Sequence, residues 1–148
     1  MPDLAFYADP DLYGPKDLRP AREGDAGIDL RSAATIRMSL TPRTRFVDLG
    51  VQVAIPEEHT GLLAIRSSAA SKMGLRLANG IGIIDAGYRG PVRALIDIPA
   101  QVEIQRGDRI CQLLVSPIPK LSITRVTDPA ALGETERGTG GFGSTGKN

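Results

Sequence analysis

The sequence contains few of the residues that build covalent frameworks and metal clusters. Cys111 is the only cysteine and His59 the only histidine among 148 residues, and tryptophan is absent. A single cysteine excludes a disulfide within the chain, and a single histidine argues against a Cys/His metal cluster or a Ser-His-Asp site. A reducing, intracellular environment is therefore the simplest expectation.

Excess charge and long apolar segments are also missing. The formal net charge is only +1, which argues against a protein that binds nucleic acid or an anionic membrane through its whole surface. No apolar run approaches the length of a membrane span, and the first residues lack the basic end and apolar stretch of a signal peptide. We expect a soluble cytoplasmic protein that binds any phosphate ligand in a local basic pocket.

Glycine and proline are abundant, and they divide the chain into short segments. There are 17 glycines and 11 prolines. Val47, Leu49, Val51 and Val53 alternate with less apolar residues, the period of a half-buried strand. Many short strands separated by turn signals predict an all-β sandwich, jelly roll or barrel. The predicted strands are Ile28–Leu30, Arg45–Ile55, Gly61–Arg66, Ile81–Ile84, Val92–Ile98, Ile110–Val115 and Ser122–Val126, and Ser68–Met73 is the one predicted helical turn.

The two ends differ in composition from this β domain, which we place at residues 25–132. Residues 1–24 are rich in proline and charge toward their C-terminal part, and we expect an extended arm along the surface. Residues 133–148 include a glycine-rich stretch that also carries an arginine, a phenylalanine and several hydroxyls. Glycine favours mobility and the other side chains favour ligand contact, so we expect a flexible lid over a site.

An acidic residue follows directly on an apolar run in the segment GIGIIDAGYRG. Asp85 comes after Ile83 and Ile84, where a carboxylate at the end of a buried strand can act as a general base. Gly82 permits close approach of a ligand to the backbone, and Tyr88 offers a flat face with a hydroxyl tip. The alternative is a hairpin turn in which the aspartate bonds its own backbone.

Polar residues in three other segments suit phosphates and a hydrated cation. Arg66, Ser67 and Ser68 end an apolar run and can donate to phosphate oxygens, although a capped surface turn is the commoner use of two serines. Gln112 lies within an apolar strand and needs polar partners. Asp29 can hold Mg²⁺ through its water shell, although a lone aspartate in a strand is more often a surface residue.

Five segments together resemble, in order, the five motifs of the trimeric dUTPase family. They are DAGIDLRSA (25–33), RSSAASKMG (66–74), NGIGIIDAGYRG (79–90), RGDRICQLLV (106–115) and RGTGGFGSTG (137–146). The resemblance implies a jelly-roll or β-clip-type subunit and a homotrimer whose active sites are shared between subunits. It also implies Mg²⁺-dependent hydrolysis of dUTP to dUMP and pyrophosphate, which keeps uracil out of DNA and supplies dUMP for thymidylate synthesis.

The resemblance also implies roles for individual residues. Asp85 would activate the water that attacks the α-phosphorus, and Tyr88 would pack under the deoxyribose. Mg²⁺ would be contacted through water by Asp29. Uracil would be contacted by Asn79, by the backbone of Gly82, Ile83 and Ile84, and by the stacked ring of Phe142. The phosphates would be held by Arg66, Ser67, Ser68 and Gln112. Arg137 would reach the γ-phosphate, and Gly143 and Ser144 would close over the phosphates.

Two other functions are compatible with parts of this pattern. A dCTP deaminase of the same fold also has Arg-Ser-Ser and Ile-Asp-x-Gly segments, but Leu95 stands where that family has a catalytic glutamate, and leucine cannot relay protons. A non-catalytic regulatory trimer would keep the fold without needing a water-activating acid. The retained Asp85, Tyr88, Arg137 and Phe142 favour the hydrolase.

Overall fold

The computed structural model describes residues 3–136 and 138–139, and it consists of two antiparallel sheets of four strands each. One sheet has the order β1-β3-β7-β5 and the other β2-β8-β4-β6. The prediction of an all-β protein is confirmed. The strands are β1 (Ala5–Ala8), β2 (Ile28–Arg31), β3 (Arg43–Ala54), β4 (His59–Ile65), β5 (Arg76–Leu77), β6 (Gly82–Asp85), β7 (Pro91–Ile98) and β8 (Arg109–Pro117), with one α-helix, α1 (Ser67–Met73), and one 3-10 helix (Pro129–Leu132).

The core lies between the inner faces of the two sheets. In β3 the residues Val47, Leu49, Val51 and Val53 are all buried, as their spacing predicted. Strand β7 repeats the same alternation, and Leu30, Leu63, Ile110 and Leu113 cover the core from the second sheet. Apolar residues of period two thus account for the inner face that β3 and β7 contribute, whereas β8 buries the consecutive residues Ile110 and Cys111.

Helix α1 confirms the helical turn predicted at Ser68–Met73. It follows directly on β4, and Arg66 precedes it in an extended conformation. Gly74 ends the helix at φ 67° and ψ 16°, where its N–H reaches the carbonyls of Ala69 and Ala70. This left-handed cap is a conformation that glycine adopts without steric cost. The helix therefore carries the serine-rich segment away from the sheet immediately after Arg66.

Two short strands were absent from the sequence prediction, and one predicted strand does not form. Strand β1 pairs with Val51–Ala54 of β3, and β5 pairs with β7. The prediction of a strand at Ser122–Val126 is wrong for this structure, because residues 118–126 form no regular element. An isolated extended segment needs a neighbouring strand for its backbone groups, and none lies beside it within the described residues.

The N-terminal arm is anchored to both sheets by a buried tyrosine. The hydroxyl of Tyr13 donates to the carbonyl of Leu49 (2.6 Å) and accepts from the backbone N–H of Arg31 (2.8 Å). Burial raises the pKa of Tyr13 to about 12. Asp17 is held by the N–H of Gly14 and by the guanidinium of Arg31, and both lower its pKa. The arm therefore reaches strand β2 near Asp29.

The single cysteine is part of the core. Cys111 has no exposed surface, and burial raises the pKa of its thiol to about 12. A thiol that stays protonated reacts slowly with electrophiles, so Cys111 has a packing role. Within the described part of the chain no helix is both long and apolar enough to cross a bilayer.

Candidate active site

The candidate general base lies at the end of an edge strand. Asp85 is the last residue of β6, where it faces Thr60 of β4, and it is exposed. A turn follows in which the N–H of Tyr88 donates to the carbonyl of Asp85 (3.0 Å). Strand β6 pairs on one side only within the described residues. Its other side therefore presents backbone donors and acceptors to a ligand.

One cavity brings together six of the predicted site residues. Asn79, Asp85 and Tyr88 line it with the β6 backbone, and its volume is about 280 Å³. The opposite wall comes from the other sheet, through β3 and β7. The predicted residues of the lining are Asn79, Gly82, Ile83, Ile84, Asp85 and Tyr88, and the additional ones are Phe46, Leu63, Pro91, Val92 and Arg93.

The ring of Tyr88 is positioned by its neighbours in the turn. Its hydroxyl donates to the carbonyl of Pro91 over 3.0 Å. A Cβ at Gly90 would lie 2.5 Å from that hydroxyl oxygen, so only glycine leaves room for the ring in this position. Sequence reasoning did not assign Gly90, although the segment GYRG contains the signal. It also missed Phe46, whose ring lies under the guanidinium of Arg93 with 5.6 Å between Cζ and the ring centroid.

The backbone before and within β6 is held by a second set of contacts. The side-chain amide of Asn79 donates to the carbonyl of Ile81 (3.1 Å), and the N–H of Ile81 donates back to the carbonyl of Asn79 (2.8 Å). A Cβ at Gly82 would lie 3.0 Å from that of Leu63. Asn79 therefore shapes the turn that leads into β6, and Gly82 allows β6 to approach β4 closely.

Among the described residues, three of the four predicted phosphate ligands line a second cavity on the other side of the sheet. Asp29, Arg66, Ser67 and Gln112 contribute to it, and its volume is about 430 Å³. A Cβ at Gly27 would lie 2.7 Å from the side-chain oxygen of Gln112, so a larger residue at this position would displace the end of the Gln112 side chain. The structure therefore brings four of the predicted polar residues together.

Arg66 and Asp29 form an ion pair within this cavity. Nε of Arg66 donates to Oδ1 of Asp29 over 2.6 Å, and Nη1 of Arg109 lies 3.4 Å from Oδ2. Nη1 of Arg66 also donates to the hydroxyl of Ser68 (3.2 Å). Ser68 thus contacts the arginine rather than lining the cavity, and the four side chains form one connected group.

The described residues offer no cluster of three acidic, histidine or cysteine ligands for a metal. Mg²⁺ commonly keeps several waters and takes only one or two carboxylates alongside substrate phosphates. Both oxygens of Asp29 already accept from arginines, but a carboxylate has about four lone-pair sites. Asp29 therefore fits contact with metal-bound water and does not suit a direct, exclusive ligand role.

The two cavities are far apart within one chain. Asp85 faces Thr60 on β4, while Asp29 faces Gln112, which in turn faces Ala64 of β4. Three strand spacings and a four-residue offset separate the two carboxylates by about 20 Å. The two side chains therefore cannot contact the same atom of a ligand within one chain.

Four predicted residues lie outside the described part of the chain. They are Arg137, Phe142, Gly143 and Ser144.

Comparison with known proteins shows the family of this chain. A family model described as dUTPase matches residues 15–146, which is most of the chain. The chain belongs to the dUTPase family. The prediction of this family from the five segments is confirmed, and so is the prediction of a dUTPase enzyme. The match begins within the N-terminal arm, before the first of the five segments.

Mycobacterial dUTPases are among the similar curated proteins. The deoxyuridine 5'-triphosphate nucleotidohydrolase of Mycolicibacterium gilvum is 43% identical over 143 residues, which cover 93% of this chain and 90% of that protein. That of Mycobacterium tuberculosis is 44% identical over 131 residues, which cover 85% of this chain and 84% of that protein.

Phage dUTPases are among the similar solved structures. The dUTPase of Staphylococcus bacteriophage 80alpha, solved with dUPNHPP, has a TM-score of 0.78 and 28% identity, covering 98% of this chain and 99% of that chain. A mutant dUTPase from phage phi11 of S. aureus, whose structure reveals the coordination of a structural Mg(II) ion, has a TM-score of 0.68 and 26% identity, covering 85% of this chain and 97% of that chain.

Proposed function

We propose that this dUTPase hydrolyses dUTP to dUMP and pyrophosphate, with Asp85 as the general base. The observation that carries the proposal is the position of Asp85 at the mouth of a cavity that also holds Asn79 and Tyr88. A base must lie within hydrogen-bond reach of the water that it activates, and an exposed carboxylate at the end of a strand can reach a bound water. Family membership supports the substrate.

The first cavity, which is lined by β6, Asn79 and Tyr88 and is called the β6 cavity below, suits a deoxyuridine. Unpaired backbone groups of β6 can hydrogen-bond the edge of uracil, a form of recognition that discriminates more strongly than an apolar pocket. The ring of Tyr88, fixed by Pro91 and Gly90, offers a flat surface against the deoxyribose. In this arrangement the ring leaves no room for a ribose 2′-hydroxyl, and the close backbone at Gly82 disfavours an added methyl on the base.

The second cavity, which is lined by Asp29, Arg66, Ser67 and Gln112 and is called the phosphate cavity below, suits the triphosphate. Arg66 offers the N–H donors of a planar guanidinium, and the hydroxyl of Ser67 and the side-chain amide of Gln112 add further hydrogen-bond donors. When bound, Mg²⁺ would lower the charge of the phosphates and polarise them toward attack. Asp29 would contact its water shell, while Arg66 and Arg109 hold that carboxylate in place. Most of the rate enhancement would then come from alignment and electrostatics.

A complete site requires more than one copy of the chain. Because Asp85 and Asp29 are about 20 Å apart within a subunit, we propose a homotrimer in which one subunit supplies the β6 cavity and another the phosphate cavity. The third would supply its C-terminal segment, with Arg137 on the γ-phosphate, Phe142 on uracil, and Gly143 and Ser144 over the phosphates. The resemblance to the family's fifth motif supports this last assignment.

A substrate panel tests the reaction. Pyrophosphate release should be fast with dUTP and weak with dCTP, dTTP and UTP, and it should depend on Mg²⁺. Ammonia release from dCTP would instead support a deaminase. Binding of dUTP without release of pyrophosphate would support a regulatory protein that keeps the fold.

Mixed oligomers test the sharing of sites. Asp85→Asn and Arg66→Ala chains should each be inactive, and refolding them together should restore about a quarter of the sites if chains mix at random. The matched control mixes Asp85→Asn with Tyr88→Ala. Those two lesions fall in the same cavity, so no mixed site regains both side chains. Equal recovery in the two mixtures would contradict sites shared in this way.

A further inference from the structure

A third cavity lies beside the phosphate cavity and is rich in basic side chains. It is formed by the N-terminal arm against β2 and β8, with a volume of about 160 Å³. Ala21 and Asp29 line both cavities, so the two are adjacent. Its charged lining consists of Lys16, Asp17, Arg19, Asp29, Arg31 and Arg109.

Two of these cations carry charge that is not already paired. Arg31 is bound to Asp17 (3.1 Å), and Arg109 lies 3.4 Å from Asp29. Lys16 and Arg19 form no ion pair with any residue that the structure describes, and both are exposed. The cavity therefore has two surplus positive charges next to the place where phosphates are proposed to bind.

The loop that carries these cations is held in a fixed conformation. Leu18, which lies between them, has φ 58°, a left-handed conformation that is costly for a bulky residue with a Cβ. Its side chain packs against the core. Asp17 accepts from the N–H of Gly14 (2.9 Å) and from Arg31. Strain of this kind persists only where surrounding contacts enforce it, and it clusters at functional sites.

We propose that Lys16 and Arg19 form a subsite for free inorganic pyrophosphate, the product that leaves the phosphate cavity. This inference rests on the proposed function for its role as a product site. Pyrophosphate is a compact polyanion that accepts strong hydrogen bonds from cationic side chains. Lys16 and Arg19 can donate to it without first breaking an ion pair, unlike Arg31 and Arg109. The subsite lies on the arm, separate from Arg66, Ser67 and Gln112.

Calorimetric titration of the full-length chain with inorganic pyrophosphate, in EDTA, tests the subsite. The Lys16→Ala/Arg19→Ala variant should bind pyrophosphate about tenfold more weakly, since charged hydrogen bonds are lost. Product inhibition should weaken in parallel, while the KM for dUTP changes by less than about twofold. The matched control, Arg37→Ala/Arg125→Ala, removes the same charge from exposed positions that do not line the cavity.

Three outcomes would overturn the subsite. They are unchanged pyrophosphate affinity in the double variant, an equal loss in the control, and a rise in the KM for dUTP as large as the loss of pyrophosphate affinity. The last would place the two cations in the substrate's own pocket. The wild-type chain could fail to hydrolyse dUTP while the double variant still loses pyrophosphate binding and the control does not. That result would reject the proposed function but would support the anion site.

Discussion

Arg66 donates from Nε to Oδ1 of Asp29 over 2.6 Å, and this pair joins two residues that the sequence assigned to different tasks. Arg66 was expected on phosphate oxygens and Asp29 on metal-bound water. Both side chains are about three-quarters buried, with 26% of each exposed. Because the two are bonded to each other, a change in either one should disturb both tasks.

Arg66→Lys should therefore lower kcat/KM for dUTP by roughly 10- to 100-fold. Lysine keeps the charge, but its compact ammonium cannot reproduce the planar fork by which Arg66 contacts Asp29 and Ser68 and would reach a phosphate. Steady-state kinetics across a range of Mg²⁺ concentrations provide the measurement. Arg76→Lys, on the exposed face of β5, is the control. Equal kinetics in both variants would show that the fork geometry of Arg66 is dispensable.

Asp85→Asn should bind dUTP with nearly unchanged affinity and lose turnover by roughly 10²- to 10⁴-fold, the range attributed to a positioned base. The amide keeps the shape of the side chain but cannot accept a proton. Calorimetry and single-turnover kinetics separate binding from chemistry. Asp11→Asn, at an exposed position outside the β6 cavity, serves as the control. Retained turnover would assign the base elsewhere.

Gly90→Ala should lower kcat/KM for dUTP by about tenfold or more, because small misplacements in a site are costly. The new methyl would lie 2.5 Å from the hydroxyl oxygen of Tyr88 and would push the ring away from Pro91. Discrimination against UTP should fall with it. Gly87→Ala is a sharp control, since a Cβ there meets nothing within 4 Å. Identical kinetics in both would rule out Tyr88 packing as the reason for Gly90.

Tyr13→Phe should reduce the free energy of unfolding by about 1–3 kcal/mol, because it leaves two backbone groups without their partner in a buried site. Those groups are the carbonyl of Leu49 and the N–H of Arg31. Urea denaturation measures the difference. Tyr7→Phe is the control at a ring that is 64% exposed. A loss no larger than that of the control would mean that the arm is not anchored through this hydroxyl.

Asp17→Asn should destabilise the protein at neutral pH, and the difference from wild type should vanish in acid. The N–H of Gly14 and the guanidinium of Arg31 lower the pKa of Asp17 below its ordinary value of 3.8. A depressed carboxyl pKa stabilises the folded state above that value, and the stabilisation is lost as the pH falls through the folded pKa. Thermal unfolding of both proteins, measured from neutral pH down through the pKa of Asp17, tests this pH dependence. A difference in stability between variant and wild type that widens in acid would contradict it.

Local patterns in the sequence determined much of the fold and pointed to the chemical groups of the candidate site. The alternation in β3 and the apolar run in β7 mark buried faces because side chains on a strand alternate with period two. Asp85 and Tyr88 could be assigned together because one turn holds them, and Arg66 and Ser67 because they are adjacent. The missed strands β1 and β5 and the wrongly predicted strand Ser122–Val126 depend on the presence or absence of a partner strand.

Tertiary structure alone decided how those groups are distributed. Sheet order places Asp29 and Asp85 on opposite edge strands, brings Arg66 onto Asp29, and sets Lys16 and Arg19 beside the phosphate cavity. Each of these relationships joins residues far apart in the chain. They follow from which strands pair and in what register, a choice made by burial of the whole core rather than by any short segment.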